Sequence, residues 1–202
     1  MNTIVFATNN YNKVKEVRSV LHKRFHIISL REAGILIDIP EPHLTLEENA
    51  REKSFTINKL TGNDCFSEDT GLEVKALAGE PGVKSARYAG DNADDKANIK
   101  KLLIKLQGIQ SRDARFRTII SLVRGSKEYQ FEGICEGKIA DTEQGTNGFG
   151  YDALFIPTGS YKTFAEMNMD EKNHYSHRKK ATEQLIHFLN TNFGKAQITD
   201  FR

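Results

Sequence analysis

The feature that most constrains this chain is the switch between two periodicities that begins at its start and recurs to its end. Residues 4–8, IVFAT, read as a buried strand, and from Lys13 the apolar residues recur at helical spacing, with only a polar turn between. Further strand-like runs fall at residues 26–29, 65–68, 72–74, 116–123, 129–136 and 153–156. Helical patterns lie between them. Residues 13–25 place Val14, Val17, Leu21 and Phe25 on one face, and residues 45–60 open with Thr45 and Glu48 at capping-box spacing. Residues 94–106 carry Ile99, Leu102, Leu103 and Leu106; residues 176–193 carry Ala181, Leu185, Phe188 and Leu189 behind Ser176 as N-cap. Strands and helices mixed in this way predict an α/β fold with a mixed sheet. No repeat or Pro-rich linker divides the chain, so residues 1–202 are expected to form a single domain, with the glycine-rich segments 79–90 and 145–150 as loops.

Composition removes several classes of function. Nothing approaches the ~20 consecutive apolar residues of a membrane span, so no membrane partner is expected. The apolar run at residues 3–7 has no basic region before it and no cleavage-site pattern after it; the expected location is the cytosol. Cys65 and Cys135 lack the C-x-x-C spacing of a zinc or redox pair and read as buried thiols. The net charge is +2, from 29 basic and 27 acidic residues, far from the excess with which a nonspecific binder neutralises a nucleic acid. Any bound anion is expected to be small.

Four segments carry chemistry. At the first strand-to-helix turn, Thr8, Asn9 and Asn10 offer hydroxyl and amide donors and Lys13 a charge one turn later, beside helix-start N–H groups that favour an anion. The turn reads equally as an Asn-capped helix with a solvated lysine. In SEDTGLEV, Glu68 and Asp69 stand together before Thr70 and Gly71, where a strand is expected to end and where open α/β sheets place ligands. Adjacent acids repel unless a cation lies between them, and oxygen ligands near phosphate donors suit Mg²⁺; the other reading is a hydrogen-bonded turn with Glu68 exposed. Glu41, between Pro40 and Pro42, is a third candidate acid, and Glu48, Asn49 and Lys53 form a polar strip facing solvent or a site.

The loop GEPGVKSARYAG presents Ser85 and Arg87, and GTNGFGYDALF presents Phe149, Tyr151 and Asp152. An aromatic among glycines either stacks on a planar ligand or plugs a loop. The last helix begins Ser176, His177, Arg178, Lys179, Lys180, with Lys172 upstream. Cations in a first turn oppose the helix dipole, so this segment is either built to meet electron-rich atoms or is a basic patch offset by Asp170, Glu171 and Glu183.

TNNYNK, SEDTGL, GEPGVKSARYAG, GFGYDALF and KNHYSHRKKA, in this order across nearly the whole chain, resemble the inosine/xanthosine triphosphate pyrophosphatases that clear non-standard purine nucleotides. The resemblance implies an elongated mixed β-sheet flanked by helices, in two lobes with a central active-site cleft, assembled as a homodimer and dependent on Mg²⁺. It implies hydrolysis of ITP, dITP and XTP to the monophosphate and pyrophosphate, which keeps deaminated purines out of DNA and RNA. Residue by residue, Thr8, Asn9, Asn10, Lys13 and Lys53 match phosphate contacts, Thr70 a substrate-contacting hydroxyl, and Glu41 and Asp69 the metal acids. Asp69 is also the candidate general base, with Glu68 as a further possible ligand. Phe149, Gly150, Tyr151 and Asp152 match the base-binding loop, and Lys172, His177 and Arg178 the segment closing over the base, with His177 or Arg178 expected to donate to a 6-keto oxygen. The chain departs from the pattern at Glu68, where many bacterial relatives carry Asp, and at Asn147, where glycine is common.

Overall fold

The computed structural model describes residues 2–20, 25–92 and 94–193. A seven-stranded sheet has the order β2-β1-β3-β5-β6-β7, with β4 pairing only with β3. Strand β1 (Asn2–Phe6) runs parallel to β2 (Phe25–Ser29) and to β3 (Cys65–Val74), whereas β5 (Asp113–Arg124), β6 (Lys127–Ile139) and β7 (Phe155–Pro157) follow antiparallel. Helices α1 (Tyr11–Val20) and α2 (Leu46–Thr61) connect the parallel strands. Helix α3 (Asp95–Lys105) precedes β5; α4 (Met169–Tyr175) and α5 (His177–Phe193) close the described chain. The mixed α/β architecture is the one the alternating periodicities predict, and among the described residues no helix is long and apolar enough to cross a membrane.

Several boundaries differ, each for a physical reason. The runs at residues 65–68 and 72–74 are one strand, because Gly71 continues β3: a Cβ there would lie 2.7 Å from the Gly82 carbonyl oxygen, so the missing side chain lets β4 (Pro81–Gly82) pair closely. Glu68 and Asp69 therefore sit in mid-strand, not at a strand end. Phe25 opens β2 instead of closing the first helix, and still packs on the core that helix covers; Leu21 lies outside the described residues. Thr8 belongs to the turn, its N–H bonding back to the Phe6 carbonyl at 2.7 Å. Thr45 caps α2, accepting from the Glu48 N–H at 3.2 Å, and Ser176 caps α5, accepting from the Lys179 N–H at 3.2 Å. Ala153 lies in a short 3₁₀ turn (Gly150–Ala153) ahead of β7.

The long strands run through two large hydrophobic cores, with two smaller clusters against α2. Early in β3, Phe66 stacks on Phe6 at 4.4 Å beside Ile4, Val14, Val17 and Leu185. Late in β3, Leu72 and Val74 join Tyr88, Ile99, Leu102, Phe116, Phe155 and Phe164. Between these two lobes β3 carries the polar run Ser67, Glu68, Asp69 and Thr70.

Candidate active site

Between the two cores opens a cleft of ≈ 460 Å³. Its first wall is the turn ahead of α1. Asn10 caps that helix, its Oδ1 accepting from the Lys13 N–H at 3.1 Å, while its own N–H donates to Thr8 Oγ1 at 3.1 Å. Asn9 donates to the Ile37 carbonyl at 3.4 Å, tying the turn to the loop that carries Glu41. The capping reading holds at Asn10, and Thr8, Asn9, Asn10 and Lys13 all line the cleft.

The cleft floor is β3, and strand alternation separates its two acids. Successive side chains point to opposite faces, so Asp69 meets α2 while Glu68 meets α1 and α5. Glu68 is 2% exposed, bound to Arg178 at 2.6 and 3.2 Å and to Lys13 at 2.9 Å, and is not part of the cleft lining. Neither a cation shared by adjacent acids nor an exposed Glu68 describes this arrangement. Burial works to raise the Glu68 carboxyl, but the Arg178 and Lys13 charges outweigh it and hold it below the usual range. Thr70, on the same face, pairs with Thr118 at 2.6 Å and accepts from Arg178 at 3.3 Å.

Asp69 Oδ1 lies 2.9 Å from Lys53 Nζ, which also bonds Glu41; Arg87 holds the other Glu41 oxygen at 3.0 Å. Of the strip Glu48, Asn49 and Lys53, only Lys53 lines the cleft, Glu48 serving the cap and Asn49 bonding the His43 backbone at 2.9 and 3.1 Å. Burial dominates at Asp69 and pushes its carboxyl up despite Lys53; at Glu41 burial is outweighed by Lys53, and the carboxyl falls to about 2. Asp69 is thus the more basic of the two acids, and Glu41 stays firmly charged. Two carboxylates converging on one ammonium, beside the turn ahead of α1, form an oxygen-only donor set that fits a hard divalent cation, which needs only one or two carboxylates from the protein. No group of three or more His, Cys, Asp or Glu side chains gathers as a metal site among the described residues.

The far wall is the loop before β7. Asp152 is buried but lines the cleft, accepting from the Phe149 N–H at 3.0 Å, and Gly148 (φ 78°) leaves it room, since a Cβ there would lie 2.0 Å from Asp152 Oδ2. Asp95, at the start of α3, accepts from the Gly150 N–H at 2.7 Å. The two readings of the aromatics divide by residue. Tyr151 is a plug, buried with its hydroxyl donating to the Ser85 carbonyl at 3.0 Å. Phe149 is only half-buried, and Lys172 and Arg178 lie 5.5 Å from its ring centroid. Asn147 does not adopt a left-handed conformation; its side chain instead donates to the Met167 carbonyl at 3.1 Å.

The basic start of α5 splits likewise. Lys179 and Lys180 turn outward to Glu183 (3.3 Å) and the Ile134 carbonyl (2.8 Å), while His177 and Arg178, each 2% exposed, turn in. Arg178 is engaged by Glu68, Thr70 and Glu16. Lys172 does not line the cleft; it bridges Glu16 at 2.7 Å and Asp152 at 2.6 Å behind it. Arg178 lines the cleft, its guanidinium held from behind by Glu68, Thr70 and Glu16 with four of its five N–H groups engaged. His177 does line the cleft, stacked on Phe116, with Nδ1 buried and without a partner. Burial, with Arg178 and Lys172 nearby, lowers its pKa well below 6.5 and keeps the imidazole neutral. Sequence reasoning passed over Glu16, Asp95 and Phe116.

Comparison with known proteins follows this geometry. The "dITP/XTP pyrophosphatase" of Christiangramia forsetii is 47% identical over 186 residues, 92% of this chain and 98% of that protein. The protein of the same name from Flavobacterium johnsoniae is 49% identical over 188 residues, 92% and 97% of the two chains. The solved structure of the Staphylococcus aureus Ham1 protein superposes with a TM-score of 0.85 at 40% identity, over 94% of this chain and 99% of that one. The sequence profile of the Ham1 family matches residues 4–188, and the chain belongs to that family.

Proposed function

We propose that this chain hydrolyses non-standard purine nucleoside triphosphates, ITP, dITP and XTP, to the monophosphate and pyrophosphate, and so clears deaminated purines from the nucleotide pool. The observation that carries the reading is that one cleft joins an anion-directed helix start (Asn10, Lys13), a pair of acids (Glu41, Asp69) and a wall with a half-buried aromatic and an unpartnered imidazole (Phe149, His177). Relatives sharing nearly half of its residues carry the name dITP/XTP pyrophosphatase. The small net charge of +2 suits a free nucleotide over a nucleic acid. Assembly as a homodimer rests on the family resemblance.

The proposed roles follow position. Lys13 and the free amides of α1's first turn hold the phosphate chain and take up charge on the departing pyrophosphate. Asp69, whose carboxyl is raised by burial, orients a water and accepts its proton. Glu41 and Asp69 would hold Mg²⁺, which supplies charge neutralisation and polarisation of the phosphoryl oxygens when bound. Lys53 sits between these acids and is positioned to follow the phosphates. The buried Glu16, Glu68 and Lys172 lie behind the cleft and fix α1, β3 and α5 around it, while Arg178, anchored by Glu16 and Glu68, faces the cleft beside His177.

Asp69→Asn keeps the shape and removes the base, so turnover of ITP should fall roughly 100- to 10,000-fold while ITP binding survives. A rate within a few-fold of the wild type would overturn the assignment of Asp69.

A further inference from the structure

We infer that Phe116, on β5, is a positioning residue for base selectivity: its ring fixes the plane of the His177 imidazole, and that plane decides how well a 6-keto purine is distinguished from a 6-amino one. The inference rests on the function proposed above. Both side chains line the cleft. Their ring centroids are 4.6 Å apart with the planes only 16° from parallel. The other aromatic beside His177, Phe164, is at 6.2 Å and tilted by 32°, so Phe116 supplies the only parallel ring contact given for the imidazole among the described residues. Phe116 is itself braced, 4.7 Å from Phe155 and 6.1 Å from Phe164.

A neutral imidazole has one N–H and one lone pair, both in the ring plane, so rotation of the ring turns its hydrogen bonds away from a ligand without moving the backbone. Arg178 is held by three partners. His177 lines this wall with an unpartnered nitrogen, beside Arg178, four of whose five N–H groups are already engaged. The backbone beneath is fixed separately. A Cβ on Gly133 would lie 2.0 Å from the His177 carbonyl oxygen and 2.6 Å from the Ala181 nitrogen, so α5 rests directly on β6 and only the ring is left for Phe116 to set.

The test compares kcat/KM for ITP and for ATP in the wild type, F116L, F116Y and F66L. F66L removes a core aromatic of the other lobe, stacked on Phe6 and apart from the rings around Phe116. Expected is a roughly tenfold fall in the ITP/ATP ratio for F116L, carried mainly by the KM for ITP, with the ratio retained in F116Y, which keeps the ring, and in F66L, which loses thermal stability. If F116L does not fold, F116M, closer in volume, takes its place. A wild-type ratio in the ringless variant, or an equal fall in F66L, overturns the inference. A wild type without preference for ITP instead removes the functional reading beneath it, so the two failures are distinguishable.

Discussion

Glu16 and Arg178 stand 162 positions apart in sequence and meet behind the cleft. Glu16 was not legible beforehand, because a carboxylate on an amphipathic helix reads as solvated until its distant partners are known. The residues legible as candidates were those whose type disagreed with local expectation: asparagines at a strand end, cations in a first turn, an aromatic among glycines. For the buried pair of Glu68 and Arg178, removing one partner strands the other. Glu68→Gln should therefore cost about 3 kcal/mol in denaturant unfolding; an unchanged midpoint would show that the pair contributes nothing net. The pH dependence has a definite sign. The Glu68 and Glu16 carboxyls are depressed, so their contribution is present above the ordinary 4.5 and lost as pH falls toward their folded values. His177 is depressed below 6.5, so the unfolded chain takes up its proton first and stability declines as pH falls below 6.5. Stability should thus fall from pH 6.5 downward, and His177→Asn should flatten the upper part of that decline in unfolding measurements across pH 5–7.

Among the elements, strand and helix existence followed from periodicity, but the length of β3 did not. Glycine after Thr70 signals a stop when neighbours are invisible, and only the approach of β4 shows why the strand continues. That error moved the acids from a strand end to mid-strand and hid the alternation that sends Asp69 and Glu68 to different partners. Helix α4 was missed because seven residues rich in charge carry no apolar stripe; its ends are secured by the Asn168 cap, which accepts from the Glu171 N–H at 2.9 Å. Gly71→Ala would press a methyl group against the Gly82 carbonyl. It should destabilise the protein by about 1–3 kcal/mol in thermal or denaturant unfolding, and a neutral result would mean that β4 gives way freely.

At the scale of the whole molecule, two cores share the long strands, and their polar junction is the cleft. Composition and periodicity predicted the α/β class; the two lobes and the gathering of five distant motifs around one site came from resemblance, since neither has a local signature. The Ham1 relatives agree in fold over nearly the full described chain. The central claim is that this junction selects a purine by its 6-keto group and cuts its triphosphate between the α and β phosphates. The direct measurement is product analysis with Mg²⁺ and, separately, ITP, XTP, GTP, ATP and a pyrimidine triphosphate. Monophosphate and pyrophosphate should form, at least tenfold faster from ITP and XTP than from ATP or the pyrimidine triphosphate. Orthophosphate as the product, or equal rates on all five nucleotides, would contradict the claim.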